Sequence, residues 1–117
     1  MSNGSILCVD DEPAVLRTTE LVLRSAAFSV STAVTAADAF RLLISQHFDL
    51  LLLDCIPELG WVVREAKRVN PDMRVAICTG DTELVELPLV DIVFHKPISP
   101  PVLLRKIAEL ISLSKAA

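Results

Sequence analysis

Glycine and aromatic residues are scarce in this chain of 117 residues. Its three glycines, Gly4, Gly60 and Gly80, form neither the Gly-x-Gly-x-x-Gly pattern of dinucleotide-binding folds nor a Gly-x-x-x-x-Gly-Lys-Ser/Thr phosphate loop. Hydrophobic residues make up 52% of the chain and aromatic residues 4%, so the apolar content is mainly aliphatic. Aliphatic strands are typical of parallel sheets that helices cover on both faces. The composition therefore favours an α/β domain without a Gly-rich nucleotide loop.

Long apolar runs and clusters of basic residues are also absent from the sequence. Apolar runs such as Leu50 to Leu53 are far shorter than the roughly 20 residues that span a bilayer. The stretch from Met1 to Ser5 carries no basic residue and leads into no signal-length apolar segment, so we expect no secretory signal and a cytoplasmic location. The formal net charge is −4 and the basic residues are scattered, so we expect no direct contact with nucleic acid or membrane.

The three cysteines, Cys8, Cys55 and Cys78, are an odd number and lie in or beside apolar, strand-like runs. They lack Cys-x-x-Cys spacing, so the sequence predicts neither a disulfide framework nor a zinc site. Unbridged cysteine is among the most buried residue types. We therefore expect reduced thiols in or near the core.

Predicted strands and helices alternate along the chain. The length suits a single domain, residues 1–117. Five strands are predicted, at Ser5 to Val9, Phe28 to Ala33, Asp49 to Asp54, Arg74 to Cys78 and Ile92 to Phe94. Right-handed crossovers between parallel strands place helices on both faces of a sheet. The pattern predicts a doubly wound, five-stranded parallel sheet.

Prolines and capping residues indicate the helix boundaries. Pro13 suits the first turn of helix one because proline has no N–H to lose there. The stretch from Thr35 to Asp38 is a capping signal for helix two, and Asn70-Pro71 ends helix three. Residues 81–91 predict at most one short helix, and a fifth helix follows Ser99. The inner faces of the first and last helices are predicted from apolar spacing: Val15, Val22, Leu23 and Ala26, and Leu103, Ile107, Leu110 and Ile111.

Acidic and polar residues follow four of the predicted strands. Asp10 and Asp11 end strand one, Asp54 ends strand three, and Thr79 and Lys96 follow strands four and five. Doubly wound sheets bind ligands outside the carboxyl ends of their strands. If strands one, three, four and five are neighbours, these side chains converge on one shallow site. The three carboxylates then need a hard cation or Lys96 to offset their mutual repulsion.

Four motifs in this order resemble the receiver domain of two-component response regulators. They are "VDDEP", "LLLLD" ending at Asp54, "ICTG" with Thr79, and "HKP" with Lys96, and the resemblance extends from Ser5 to about Leu113. Alone, an Asp pair after a strand is more often a turn and helix cap than a metal site. The resemblance implies a flavodoxin-like three-layer α/β/α domain with strand order 2-1-3-4-5 and no output domain in this chain.

The resemblance also implies a role for each residue of the site. Asp54 would be the phosphoacceptor, taking a phosphoryl group from a phosphohistidine on a histidine kinase or phosphotransfer protein. Thr79 would donate a hydrogen bond to a phosphoryl oxygen, and Lys96 would pair with it. Such a domain promotes only its own phosphorylation and dephosphorylation, so it is not an enzyme acting on other substrates, and its downstream partner is unknown.

Magnesium is the metal that the resemblance implies. Asp10 and Asp11 would bind Mg²⁺ together with Asp54 and the backbone carbonyl of Ile56. Because Mg²⁺ keeps several of its waters, two or three carboxylates are an adequate share of its six oxygens. The bond between Lys96 and the following proline is expected to be cis in this family.

Three features depart from the usual receiver pattern. Pro57 and Gly60 follow the phosphoacceptor at shorter spacing than usual. Few positions separate the predicted fourth and fifth strands, so the fourth helix is expected to be short or absent. Val93 occupies the position of the usual aromatic switch, and Phe94 should face the opposite side of its strand.

The alternative to a phosphoacceptor is a phosphorylation-independent receiver-like interaction module. The intact acids, Thr79 and Lys96 argue against it, whereas Val93 and the short or absent fourth helix argue for it. A haloacid-dehalogenase-type phosphatase is disfavoured because its Asp-x-Asp pair is absent at Asp54, and flavodoxin because its phosphate loop is missing. We expect residues 84–94 and the fifth helix to form the partner surface or a homodimer interface, unless Pro88 folds this segment onto the sheet.

Overall fold

The computed structural model describes residues 2–54, 56–80 and 88–116, with side chains up to residue 113. Within these ranges the chain forms β1 (Ser5–Val9), α1 (Pro13–Ser25), β2 (Ser29–Ala33), α2 (Ala36–Ser45), β3 (Leu50–Asp54), α3 (Leu59–Val69), β4 (Arg74–Thr79), β5 (Ile92–His95) and α4 (Pro100–Ala116). The predicted order of elements is confirmed, and α4 is the predicted fifth helix. The short helix expected near 81–91 falls mostly outside the described residues. Residues 88–91 are the described part of this segment, and they form a turn and a bend.

All five strands belong to one parallel sheet in the order β2-β1-β3-β4-β5. This is the predicted order. Val9 on β1 is the Cα partner of Leu53 on β3, and Asp54 is the partner of Cys78 on β4. Thr79 pairs with His95 on β5. The carboxyl ends of the four strands that carry candidate site residues therefore lie side by side.

Strand β3 is buried on both faces of the sheet. Its side chains alternate, so that Leu51 and Leu53 pack with α2 and α3 while Leu50 and Leu52 pack with α1 and α4. Burying one leucine side chain contributes roughly 1.5–3 kcal/mol. One run of four leucines thus joins the two hydrophobic cores and holds Asp54 at the edge of the sheet.

The predicted inner face of α1 is partly wrong. Leu16 and Leu23 are its buried residues, whereas Val15 is 37% exposed. Leu16 and Leu23 are seven positions apart and therefore share one face of the helix. Val15 lies one position, about 100°, away from that face. In α4 the predicted Leu103, Ile107 and Ile111 are buried. Leu110 is only partly buried against the same core.

The helix starts follow the capping signals in the sequence. Thr35 Oγ1 accepts a hydrogen bond from the Asp38 amide at 3.1 Å, which satisfies one of the unpaired N–H groups at the start of α2. Pro13 occupies the first turn of α1, where its missing N–H costs no helical hydrogen bond. Helix α3 begins at Leu59 and ends at Val69, directly before the stop at Asn70-Pro71 that the sequence predicts.

The Asp91 carboxylate ties the start of β5 to the rest of the sheet. Its two oxygens accept from the Val75 amide at 2.7 Å and from Arg74 at 3.2 Å, and they pair with Lys67 Nζ of α3 at 3.3 Å. These contacts fix where β5 begins and so the position of Lys96 after its end.

Among the described residues, every helix is too short or too polar to span a membrane.

Candidate functional site

Three carboxylates meet at the carboxyl ends of β1 and β3. Asp10, Asp11 and Asp54 each place one oxygen within 4.8 Å of the other two. The register between Val9 and Leu53 brings this about, because the residues that follow this pair on the two strands are then neighbours. Asp10 is buried, Asp54 is half-buried and Asp11 is exposed. Clustered carboxylate oxygens are the ligands that Mg²⁺ prefers.

Asp10 is held by its backbone and by a tight turn. Its amide donates to the Ala33 carbonyl at 3.1 Å, and its Oδ1 accepts from the Glu12 amide at 2.9 Å. Burial raises the pKa of Asp10, and the charge and hydrogen bond of Asp54 raise it further, although the Glu12 hydrogen bond and Lys96 oppose the shift. The site therefore favours a proton or a cation at Asp10.

Lys96 supplies the positive charge nearest to Asp54. Its Nζ lies 2.9 Å from Asp54 Oδ1, and the Lys96 amide donates to the Thr79 carbonyl at 2.7 Å. The bond between Lys96 and Pro97 is cis, as predicted. Burial alone lowers the pKa of Lys96, but the hydrogen bond and charge of Asp54, with the charges of Asp10 and Cys78, outweigh it and raise that pKa. Lys96 is thus held in its charged form.

Thr79 and Ile56 lie at the carboxyl ends of β4 and β3, and their predicted roles in the site stay predictions. Thr79 ends β4 and is 1% exposed, one residue beyond the Cα partner of Asp54. Ile56 is buried in the core under α2 and α3, and its carbonyl accepts from the Leu59 amide at 3.1 Å. Cys55 lies outside the described residues. Whether the Ile56 carbonyl also binds a metal stays a prediction.

The aromatic ring of β5 faces away from the position of the usual switch. Phe94 is 6% exposed and packs in the core shared by α1 and α4, whereas Val93 is partly exposed. This is the arrangement predicted from strand alternation. Because position 93 holds valine, this chain has no aromatic side chain there that could reorient on phosphorylation.

Sequence reasoning missed the turn that orients Asp10. An aspartate whose side chain accepts from the amide two residues later forms an Asx turn. The signal was Asp10 followed by Glu12 and a helix-starting Pro13, since such turns commonly precede helices. It also missed a pocket beneath Asp54 and Lys96, which no linear motif marks because its walls come from three strands and two helices.

The comparison with protein families identifies the domain. The response regulator receiver domain profile matches residues 6–108. The chain belongs to this family. Membership makes it a receiver domain of two-component phosphorelay signalling, and the predicted fold and family are confirmed.

Individual relatives agree with this assignment. The chain is 42% identical over 86 residues to the alginate biosynthesis transcriptional regulatory protein AlgB of Pseudomonas putida, a match that covers 71% of this chain and 19% of AlgB. It therefore spans about a fifth of the length of the curated relatives it matches.

Solved receiver structures superpose on nearly the whole chain. A receiver domain from Clostridium thermocellum has a TM-score of 0.88 at 25% identity and covers 99% of this chain and 98% of its own. The response regulator TrrA of Thermotoga maritima, solved in complex with Mg²⁺-BeF, has a TM-score of 0.83 at 23% identity, with 94% and 99% covered. The second likeness shows the fold alone.

Replacing Asp10 should stabilise the metal-free domain. A carboxyl whose pKa is raised on folding costs stability above that pKa, and the cost disappears as the pH falls through it. Asp10→Asn keeps an oxygen for the Glu12 amide but removes the charge. We expect the free energy of unfolding to rise by about 0.5–2 kcal/mol at neutral pH, the range of typical stabilising substitutions.

Urea unfolding in EDTA at several pH values measures this effect. The difference between Asp10→Asn and the original protein should shrink as the pH falls, because the original Asp10 is then protonated. Asp11→Asn is the matched control: Asp11 belongs to the same cluster but is exposed, so its change should be smaller. A destabilised Asp10→Asn protein at neutral pH would contradict the charge argument.

Proposed function

We propose that this receiver domain accepts a phosphoryl group on Asp54 in a Mg²⁺-dependent reaction. The observation that carries the proposal is the contact of one acceptor carboxylate with both an ammonium and two further carboxylates. Lys96 Nζ lies 2.9 Å from Asp54 Oδ1, and Asp10 and Asp11 complete an oxygen cluster within 4.8 Å. A carboxylate so placed has a cation on one side and room for a second cation on the other.

The metal ligands in this proposal are Asp10, Asp11, Asp54 and the backbone carbonyl of Ile56. The close spacing of the three carboxylates and the raised pKa of Asp10 both support a cation there. The TrrA receiver, whose structure carries Mg²⁺-BeF, has the same fold. When bound, Mg²⁺ would neutralise charge that develops on the phosphoryl oxygens.

The residues of the chain would then divide the work of phosphoryl transfer. One oxygen of Asp54 attacks the phosphorus, its bond to phosphorus forms, and the bond between phosphorus and the donor histidine nitrogen breaks. That nitrogen keeps the electron pair. Lys96 would move from Asp54 Oδ1 to a phosphoryl oxygen, and the Thr79 hydroxyl would donate to another. Hydrolysis later returns Asp54 to its carboxylate.

The partner in this reaction is a phosphohistidine on a histidine kinase or phosphotransfer protein. Residues 1–117 would act as one receiver domain in the cytoplasm that promotes only its own phosphorylation and dephosphorylation. AlgB is a transcriptional regulatory protein, but direct contact with nucleic acid is not part of the proposal, because this chain has a net charge of −4 and scattered basic residues.

The signalling surface would lie on the described part of residues 84–94 and on α4. Residues 84–87 are outside the described ranges. Leu89 is 41% exposed, while Val90 packs against the core under α2 and α3. Part of this segment is thus covered and part is available to a protein partner or to a second copy.

A second candidate function is a phosphorylation-independent interaction module. The observation that favours it is the burial of Phe94 away from the switch position, which removes one route from Asp54 to the surface. The two functions differ in one measurable property, since only the phosphoacceptor takes up phosphate.

Magnesium should bind at the carboxylate cluster. Titrating Mg²⁺ in the millimolar range should shift the amide resonances of residues 10–12 and change the fluorescence of Trp61, near the start of α3. Asp11→Ala should abolish the response because it removes one ligand and little packing. Asp38→Ala is the control. It removes an exposed carboxylate of α2 that is distant in sequence from the cluster, so its Mg²⁺ response should match that of the original protein. A response that survives Asp11→Ala would contradict the assigned ligands.

Phosphate should be attached to Asp54 alone. Incubation with acetyl phosphate and Mg²⁺ should add the mass of one phosphoryl group, because Asp54 is the only site acid in contact with Lys96 among the described residues. Asp54→Asn should prevent the addition. Asp72→Asn alters an exposed residue that is remote in sequence from the site, so it should not prevent the addition. Phosphate on the Asp54→Asn protein would move the acceptor to another acid. No phosphate on the original protein would favour the interaction module.

A further inference from the structure

Apolar side chains are exposed where α2 and α3 lie side by side. The ring centroids of Phe40 and Trp61 are 5.5 Å apart, so this aromatic pair joins the two helices near the surface. Trp61 is 39% exposed, and Ile44, one turn after Phe40 on the same side of α2, is 58% exposed. Adjoining exposed apolar groups mark interaction sites on soluble proteins. These three residues and Arg64 of α3 are called the α2–α3 face below.

The α2–α3 face belongs to a basic part of an acidic chain. Helices α2 and α3 contain four basic and two acidic side chains, a net charge of +2, whereas the whole chain has a net charge of −4. Three of the four basic side chains already pair with a carboxylate. Arg64 is the fourth, and it is exposed and forms no ion pair with a described residue. Because Arg64 follows Trp61 by three positions, an unbalanced guanidinium adjoins the exposed indole ring.

A cleft borders the α2–α3 face on the side of α3 that is turned away from α2. Its volume is about 280 Å³, and it is lined by Gly60, Val63, Arg64, Pro88 and Leu89. The Arg64 side chain folds back toward Gly60, where an added Cβ would lie 3.4 Å from Nη1. The surface therefore offers a guanidinium beside a recess whose other side chains are apolar.

We propose that the α2–α3 face binds an acidic amphipathic helix of a protein partner. The apolar side of such a helix would cover Trp61 and Ile44 and place one side chain in the cleft, while a carboxylate at its edge would pair with Arg64. Tryptophan and arginine are enriched among the residues that dominate binding energies, and amphipathic helices dock their apolar sides into grooves. One partner of this chemistry would satisfy both the exposed apolar groups and the unbalanced charge.

Charge argues against the two other occupants of such a face. A two-fold dimer sets the same patch of two copies against itself, so the basic helices of both copies would meet and repel. An anionic lipid surface would attract Arg64 but repel a chain whose net charge is −4. An acidic segment that buries apolar side chains meets neither difficulty.

The test titrates an acidic peptide into the unphosphorylated protein, so its outcome does not depend on the proposed function. The peptide has about 15 residues, capped ends, leucine at i, i+3, i+4 and i+7 spacing, and glutamate between the leucines. Trp61 is the only tryptophan in the sequence, so its fluorescence reports on the face. We expect a saturable blue shift of its emission, with amide resonance shifts in α2, α3 and residues 88–89. A peptide with lysine for glutamate should bind about tenfold more weakly.

Two pairs of variants separate the α2–α3 face from the rest of the surface. Arg64→Glu should weaken binding of the acidic peptide by about tenfold or more. Arg105→Glu makes the same change of charge at an exposed arginine of α4, which packs on the opposite side of the sheet, and should leave the affinity unchanged. Ile44→Ser should weaken binding several-fold, whereas Leu21→Ser, at a similarly exposed position of α1, should not.

Several outcomes would overturn the proposal. They are the lack of a saturable response at millimolar peptide, equal affinity for the lysine peptide, and equal losses in Arg64→Glu and Arg105→Glu. A dimer in sedimentation experiments that Ile44→Ser breaks would assign the face to a second copy of this chain. Binding to phosphatidylglycerol vesicles without binding to the acidic peptide would assign it to a lipid surface.

Discussion

The repulsion among three carboxylates at the carboxyl end of the sheet is the constraint on which this domain depends. Asp10, Asp11 and Asp54 each place one oxygen within 4.8 Å of the other two, and the Lys96 ammonium contacts Asp54. Burial raises the pKa of Asp10 and the charge of Asp54 raises it further, so the single positive charge of Lys96 does not offset the three carboxylates. That arrangement supports the proposed binding of a divalent cation. It also means that the metal-free site costs stability.

Burial of the hydrophobic core offsets the cost of holding three carboxylates close together. The leucines of β3 are buried on both faces and fix Asp54 against β1 and β4, whose registers then determine the distances between the acids. The Asp91 contacts with β4 and α3 fix the start of β5 in the same way. The strands therefore hold like charges together, and the end of β5 sets the position of Lys96.

Much of this could be predicted from the sequence because strand ends carry the chemistry. Alternation of strands and helices gave the doubly wound sheet, and four short motifs gave the family and the convergent acids. The inner face of α1 was misjudged, since Val15 and Leu16 are adjacent and apolar and only the packing decides which is buried. The Asx turn at Asp10 is local and was overlooked although Glu12 and Pro13 follow that aspartate. The pocket beside Cys78 was missed because its walls come from separate elements, which a linear pattern does not show.

Lys96 would exchange the Asp54 carboxylate for a phosphoryl oxygen if Asp54 is phosphorylated as proposed. A crystal structure of the domain with Mg²⁺ and beryllofluoride tests this most directly. We expect the beryllium on Asp54, the metal bound by Asp10, Asp54 and the Ile56 carbonyl with Asp11 direct or through water, and Lys96 Nζ on a fluoride. A metal bound without Asp10 and Asp54, or beryllofluoride attached to another residue, would contradict the account.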